Sequence, residues 1–239
     1  MALARSSGAN MNAAQSIRGE ASADSAFSFA PSLVMLADPE GRAAEAIRAL
    51  RTHIMAQHIQ RGRRALAVCE ASPGEGCTFI AANLAVALAQ VGRKVALIDA
   101  DLRGSGLGRI IQSHRALVGL SDFLGSATVG YGDLIAADVL PGLSILFAGR
   151  EAANPQELLA GERFSDLMAF CLREFEATIV DTPPANSCAD ARRVSTVVGY
   201  SLVVTRRHLT YVDDVKTLTS QLRADRAKII GAVMNEAIR

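Results

Sequence analysis

Residues 65–69 read Ala-Leu-Ala-Val-Cys without a polar break. A run so short and apolar at every position predicts a strand covered on both faces, as inside a parallel sheet. The runs 95–98, 143–147, 177–180, 201–205 and 229–234 predict further strands. Between them the period changes. Ile80, Leu84, Leu88 and Val91 recur at helical spacing, which marks a helix from about Thr78 to a stop at Gly92. Ala43, Ile47, Leu50, Ile54 and His58 do the same over about 40–60. Helices are also expected over about 155–175, 189–197 and 212–222, with loop and short helices over 100–135. Asn154 as N-cap, Pro155 behind it and Glu157 reaching back predict a capping-box-like entry to the 155–175 helix. Strands separated by helices imply right-handed crossovers, so the expected class is α/β, a doubly wound, mostly parallel sheet with helices on both faces.

The chain has 239 residues, half of them hydrophobic, enough for one substantial core. The first 38 residues open with a stretch rich in Ala, Ser, Gly and Asn that shows no apolar period. They are expected to form a disordered lead, leaving 39–239 as one domain. Lys and Arg total 25 against 24 Asp and Glu, a formal charge of +1. That balance gives no global pull toward nucleic acid or anionic lipid, so any partner is recognised locally. Cys69, Cys77, Cys171 and Cys188 lack the spacing of a zinc site, and no N-terminal segment resembles a secretory signal, which points to reduced thiols in the cytoplasm. No apolar run approaches the roughly 20 residues needed to cross a bilayer.

Three segments carry candidate chemistry. Directly after the first of these strands comes Ala71-Ser72-Pro73-Gly74-Glu75-Gly76-Cys77-Thr78, which fits the phosphate-binding P-loop pattern except that Cys77 stands where the pattern has lysine. Gly74 and Gly76 permit backbone angles that aim N–H groups inward, and the helix after the loop offers its positive end. Thr78 keeps the hydroxyl that such loops place on Mg²⁺. Next, Ile98-Asp99-Ala100-Asp101-Leu102-Arg103 sets two carboxylates just past a strand end. Finally, Thr178-Ile179-Val180-Asp181-Thr182-Pro183-Pro184 is an apolar strand closing on Asp181, the position of a Walker-B carboxylate. A lone aspartate at a strand end is commonly a turn residue. Three such loops at one edge of one parallel sheet point instead to a nucleotide site in a P-loop NTPase fold.

The order of these motifs resembles the deviant-Walker ATPases of the MinD and ParA type, and more closely the bacterial tyrosine kinases (BY-kinases) of capsule and exopolysaccharide co-polymerases. The segment Pro73 to Gly76, the triplet Asp99, Asp101 and Arg103, and Asn154-Pro155 with Glu157-Leu158-Leu159 carry the resemblance, which covers residue 39 onward. Glu45, Arg48 and Arg51 fit the E-x-x-R-x-x-R helix that mediates ring assembly in that family. The resemblance implies ATP and Mg²⁺ as cofactors. Asp99 would be general base or Mg²⁺ contact, Asp101 its partner, Asp181 the Walker-B ligand and Thr78 the P-loop ligand. Gly74, Glu75, Gly76, Cys77 and Arg103 would line the nucleotide. It also implies a homo-oligomer through Glu45, Arg48 and Arg51, a membrane polysaccharide co-polymerase as partner, and recruitment to the inner face of the membrane.

Two features depart from that family. Cys77 removes the ammonium that would bridge the outer phosphates, while leaving the backbone donors in place. Lys94 cannot replace it, because it begins a strand whose far end holds Asp99, about 15 Å away. The C-terminal tyrosine cluster of the family has no counterpart, since the tyrosines are Tyr131, Tyr200 and Tyr211. The expectation is a kinase-like, ATP-binding component of exopolysaccharide synthesis or export with weakened catalysis. An active protein-tyrosine autokinase is the alternative. A MinD/ParA-like positioning ATPase is the second alternative, and it would call for a C-terminal amphipathic helix or a basic face that the ending Met234 to Arg239 does not offer.

Overall fold

The computed structural model describes residues 26–236. Seven strands form the main sheet: β2 (Ala65–Glu70), β3 (Val95–Asp99), β5 (Ala136–Leu140), β6 (Leu143–Leu146), β7 (Ala177–Asp181), β8 (Tyr200–Arg206) and β9 (Lys228–Asn235). Their spatial order is β5-β6-β3-β7-β2-β8-β9, parallel throughout except for the antiparallel edge pair β5 and β6. A second, two-stranded sheet joins β1 (Phe27–Phe29) to β4 (Ile111–Ser113). The doubly wound, mostly parallel α/β architecture read from the sequence is therefore the one observed.

Two cores result from the period-two alternation of buried strands. Leu66 and Val68 of β2 turn toward α1 (Val34–Ala37), α2 (Arg42–Gln57) and α3 (Cys77–Ala89). Ala65, Ala67 and Cys69 turn to the other face. That face is covered by α4 (Leu120–Gly125), α6 (Pro155–Ala160), α7 (Glu162–Glu174), α8 (Asp190–Val198) and α9 (Val212–Ala224), while the short α5 (Tyr131–Leu134) adds Leu134 to it. Helix α3 is almost wholly buried, as a helix apolar on nearly every side must be.

Several expectations need correction. The part of the presumed disordered lead that lies within the described residues is folded: Leu33 and Met35 are buried against α3, the Met35 N–H donates to Asn83 Oδ1 at 3.1 Å, and Asn83 Nδ2 donates to the Ser32 carbonyl at 3.0 Å. Burial of two large side chains and satisfied backbone groups offset the ordering entropy of this short segment. Residues 1–25 lie outside the described residues. The helix expected over 155–175 is two helices, because Gly161 takes an extended conformation that ends α6 and starts α7. Asn154 does precede α6 with Pro155 at its first turn, yet no side-chain cap bond forms, so the capping box is absent. On α2, Ala44 rather than Ala43 faces the core with Ile47 and Ile54.

Candidate functional site

The central strands β3, β7 and β2 end together, and the loops that leave them build one edge of the sheet. Asp99 of β3 and Asp181 of β7 are direct partners across the pair, and Asp181 also pairs in register with Val68 of β2. The three motifs singled out in the sequence thus meet at one place.

Glycine at 74 and 76 is demanded by the backbone, with φ of 87° and 104°. At Gly76 a Cβ would also collide with Asn235 Nδ2, whose amide donates to the Glu75 carbonyl at 3.0 Å. Arg206 Nη1 donates to the Gly74 carbonyl at 2.9 Å. The ends of β8 and β9 therefore fix the loop from outside. Within it the Ala71 N–H donates to Glu75 Oε2 at 3.0 Å, and the buried Glu75 turns into the loop's own backbone.

The nest of N–H groups at the start of α3 is filled by a side chain that sequence reasoning missed. Glu70, the last residue of β2, accepts from the Gly76 N–H at 2.8 Å and from the Cys77 N–H at 3.0 Å through one oxygen, Oε2. Burial pushes the Glu70 carboxyl above its ordinary range, with the neighbouring Glu75 adding to the shift, and those backbone donors oppose it. Its one legible signal is a charge closing an otherwise apolar strand. Cys77 points away from the loop interior, its thiol donating to the Val68 carbonyl at 2.8 Å. Burial first and the Asp181 charge second hold this thiol well above the usual cysteine range, so it is a neutral group and not a thiolate.

Asp181 is fully buried and neither of its carboxylate oxygens has a hydrogen-bond partner. Burial, and then the Asp99 charge, drive its carboxyl well above the ordinary range; Thr78 and Cys77 beside it offset part of that shift without closing a hydrogen bond. Asp99 is also buried and is pushed up to about 6, chiefly by burial. It accepts from the Asp101 N–H at 3.1 Å and from the Ser105 hydroxyl. Two buried carboxylates side by side, one without any partner, fit a divalent cation, which would supply the missing charge. Thr78 lies beside Asp181 with its hydroxyl close to Gly106, and would add a third oxygen donor if Mg²⁺ were bound there. The phosphate cradle fits less well, because Glu70 occupies the donors a phosphate would use.

Asp101 and Arg103 are placed differently. Asp101 Oδ1 accepts from the N–H groups of Arg103 at 3.1 Å and Gly104 at 3.2 Å, so it caps a turn. The Arg103 guanidinium pairs with the buried Asp190 at 2.7 Å and 3.3 Å, at the first turn of α8. Lys94 lies at the other end of β3, with its ammonium 5.3 Å from the centre of the Phe175 ring. A cavity of about 780 Å³ is at that far end too, lined by Arg63, Tyr200, Arg226 and Lys228 among others. Cations near the C-terminal ends of α2 and α9 complement the backbone dipoles there.

A glycine loop beside two strand-end aspartates is an arrangement suited to a nucleotide, and a match to a nucleotide-binding family agrees with it. Residues 66–237 match the CobQ/CobB/MinD/ParA nucleotide-binding domain. The kinase domain of the Escherichia coli tyrosine kinase ETK superposes with a TM-score of 0.78 at 31% identity, over 87% of this chain and 80% of that one. The chain is a member of the BY-kinase family within the MinD/ParA-like nucleotide-binding domains. Among full-length relatives, the tyrosine-protein kinase wzc of Salmonella typhimurium is 30% identical over 210 residues, covering 87% of this chain. The tyrosine-protein kinase etk of Escherichia coli K12 is 32% identical over 205 residues, 84% of this chain. The chain spans 28% of the length of either relative. No helix among the described residues is long and apolar enough to cross a membrane.

Proposed function

We propose that this chain is a kinase-like, ATP-binding component of exopolysaccharide or capsular polysaccharide biosynthesis or export, with weakened phosphoryl transfer. The observation that carries the reading is the pairing of an intact metal edge with an altered phosphate loop. Asp181, its oxygens unpartnered, and Asp99 remain beside Thr78, so Mg²⁺ has a place to bind. At the loop, the ammonium that would neutralise charge on a transferring phosphoryl group is replaced by a neutral thiol turned away from the loop interior, onto the Val68 carbonyl. Loss of one such donor typically costs about 10²- to 10³-fold in rate.

Bound Mg-ATP would present its γ-phosphoryl group for transfer. Toward that ligand, Thr78 and Asp181 serve as metal ligands, Asp99 as second metal contact or proton acceptor, and Gly74, Glu75, Gly76 and Cys77 as the loop backbone. Asp101 shapes the turn that carries Arg103. The work of the protein is then assembly: a homo-oligomer through Glu45, Arg48 and Arg51, docked on a membrane polysaccharide co-polymerase at the cytoplasmic face. On α2, Arg48 bonds Glu45 at 3.2 Å and the Pro39 carbonyl at 2.5 Å, an arrangement that leaves Glu45 exposed for a neighbour.

Incubation of the purified chain with Mg-ATP and detection of phosphotyrosine tests this reading. Little labelling is expected, and no difference between wild type and Asp99→Ala. Strong labelling that Asp99→Ala abolishes would establish the second reading, an active tyrosine autokinase.

A further inference from the structure

The nest at the start of α3 already holds an anion, and that anion belongs to the chain. Helix N-termini and glycine-loop amides attract phosphate because several N–H groups converge on one position. Here the converging donors of Gly76 and Cys77 are satisfied by Glu70 Oε2. The donor of Ala71 is taken by Glu75. We infer that Glu70 is a built-in stand-in for a nucleotide phosphate, so that a nucleotide enters the loop only when this carboxylate withdraws. The inference rests on the ATP-site reading above and names the residue that sets the affinity of that site.

The position of Glu70 is not accidental to a loose segment. Its backbone is inside the sheet, paired in register with Val204 of β8, and the side chain is nearly buried. A short reach from a fixed strand end to fixed loop amides makes the contact recur whenever the site is empty. The loop does not depend on Glu70 for its shape. Arg206 and Asn235 hold the carbonyls of Gly74 and Glu75 from outside, and Gly74 and Gly76 keep their left-handed angles. Truncation of Glu70 therefore empties the nest and leaves it standing. A nucleotide meets two obstacles together: donors already engaged by charge-assisted bonds, and a negative charge where its own phosphate charge must go. Restoring only the lysine at 77 would place an ammonium beside Glu70, and the two would neutralise each other.

Calorimetric titration of Mg-ATP and Mg-ADP into the whole chain tests the inference on wild type, Glu70→Ala, Glu70→Gln, Cys77→Lys and the Glu70→Ala/Cys77→Lys pair. Glu70→Ala is expected to tighten binding at least tenfold, about one step of 1.4 kcal/mol. Glu70→Gln, which keeps the length and an acceptor without the charge, falls between. Cys77→Lys alone gains less than its gain on top of Glu70→Ala. Without nucleotide, amide exchange at Gly76 and Cys77 is expected to accelerate in Glu70→Ala, a readout independent of ligand. Equal affinity of wild type and Glu70→Ala, with unchanged exchange at both amides, overturns the inference and leaves the ATP site standing. A double variant that melts cooperatively yet binds neither nucleotide overturns the ATP-site reading itself.

Discussion

Glu70 and Cys77, seven residues apart, are joined by a 3.0 Å hydrogen bond from the Cys77 N–H to the Glu70 carboxylate. The same residue whose side chain departs from the family pattern thus has its backbone donor engaged as well. The relation separates two parts of the site: the carboxylate edge at Asp99 and Asp181, proposed above to hold Mg²⁺, keeps free oxygens on Asp181, while the loop amides are taken up by the protein itself.

The two buried carboxylates give the chain a pH dependence. The Asp99 carboxyl is raised from 3.8 to about 6, mainly by burial, with Asp181 facing it from β7 and Asp101 from its own loop. The folded state therefore holds this proton more tightly than the unfolded chain. Stability is full below about pH 4 for this group and declines as pH rises toward 6. The rise from 3.8 to about 6 corresponds to a loss on the order of 3 kcal/mol. Asp181 is shifted the same way and extends the decline. In metal-free buffer, urea unfolding is expected to show falling stability between pH 4 and 6, flattened in Asp99→Asn and opposed by added Mg²⁺. A rise across that window would contradict the upward shift of these two buried carboxyls.

Much of the fold is legible in the sequence for a simple reason. Strands buried on both faces, such as 65–70 and 95–99, announce themselves as apolar runs, and aspartates at their ends fall on one edge once the sheet is parallel. Other features are hidden. The edge strand β5 reads Ala-Ala-Asp-Val-Leu, with Asp138 at φ 49°, and carries no alternation that marks a strand. Gly161 breaks a helix whose apolar period continues on either side. Glu70 is hidden because a charge at a strand end looks like a turn residue, and its role depends on which way the side chain folds back.

Arg103 is expected to matter for stability through Asp190. Asp190 is buried, and Arg103 is its ion-pair partner at 2.7 Å. Arg103→Ala leaves a buried carboxylate without its counterion. Because the guanidinium is partly exposed, the cost is discounted to about 1–2 kcal/mol. Chemical denaturation should show that loss in Arg103→Ala, and a smaller one when Asp190→Asn is already present. Additive losses would mean that the pair is not coupled.

Gly76→Ala should be among the most damaging small substitutions in the chain. The φ of 104° disfavours any side chain, and the new methyl would meet Asn235 Nδ2. A cost of about 1–3 kcal/mol is expected in thermal or urea unfolding. Part of it should be recovered by Asn235→Ala, which removes the steric contact but not the backbone strain.

The folded segment before α2 carries its own prediction. Leu33 is fully buried beside α3. Leu33→Ala is expected to destabilise the protein by about 2–4 kcal/mol in urea titration. A change within about 0.5 kcal/mol, the range of a surface substitution, would show that the segment does not contribute to the core.

In this BY-kinase fold the phosphate loop lacks its lysine and is occupied by Glu70, and the phosphoryl transfer proposed for it is weak. The most direct test of that claim is the rate of phosphotyrosine formation from Mg-ATP by the wild-type chain, measured beside the Glu70→Ala/Cys77→Lys variant under identical conditions. The wild-type rate is expected to be lower by at least about 100-fold. A wild-type rate equal to or above that of the variant would contradict the claim.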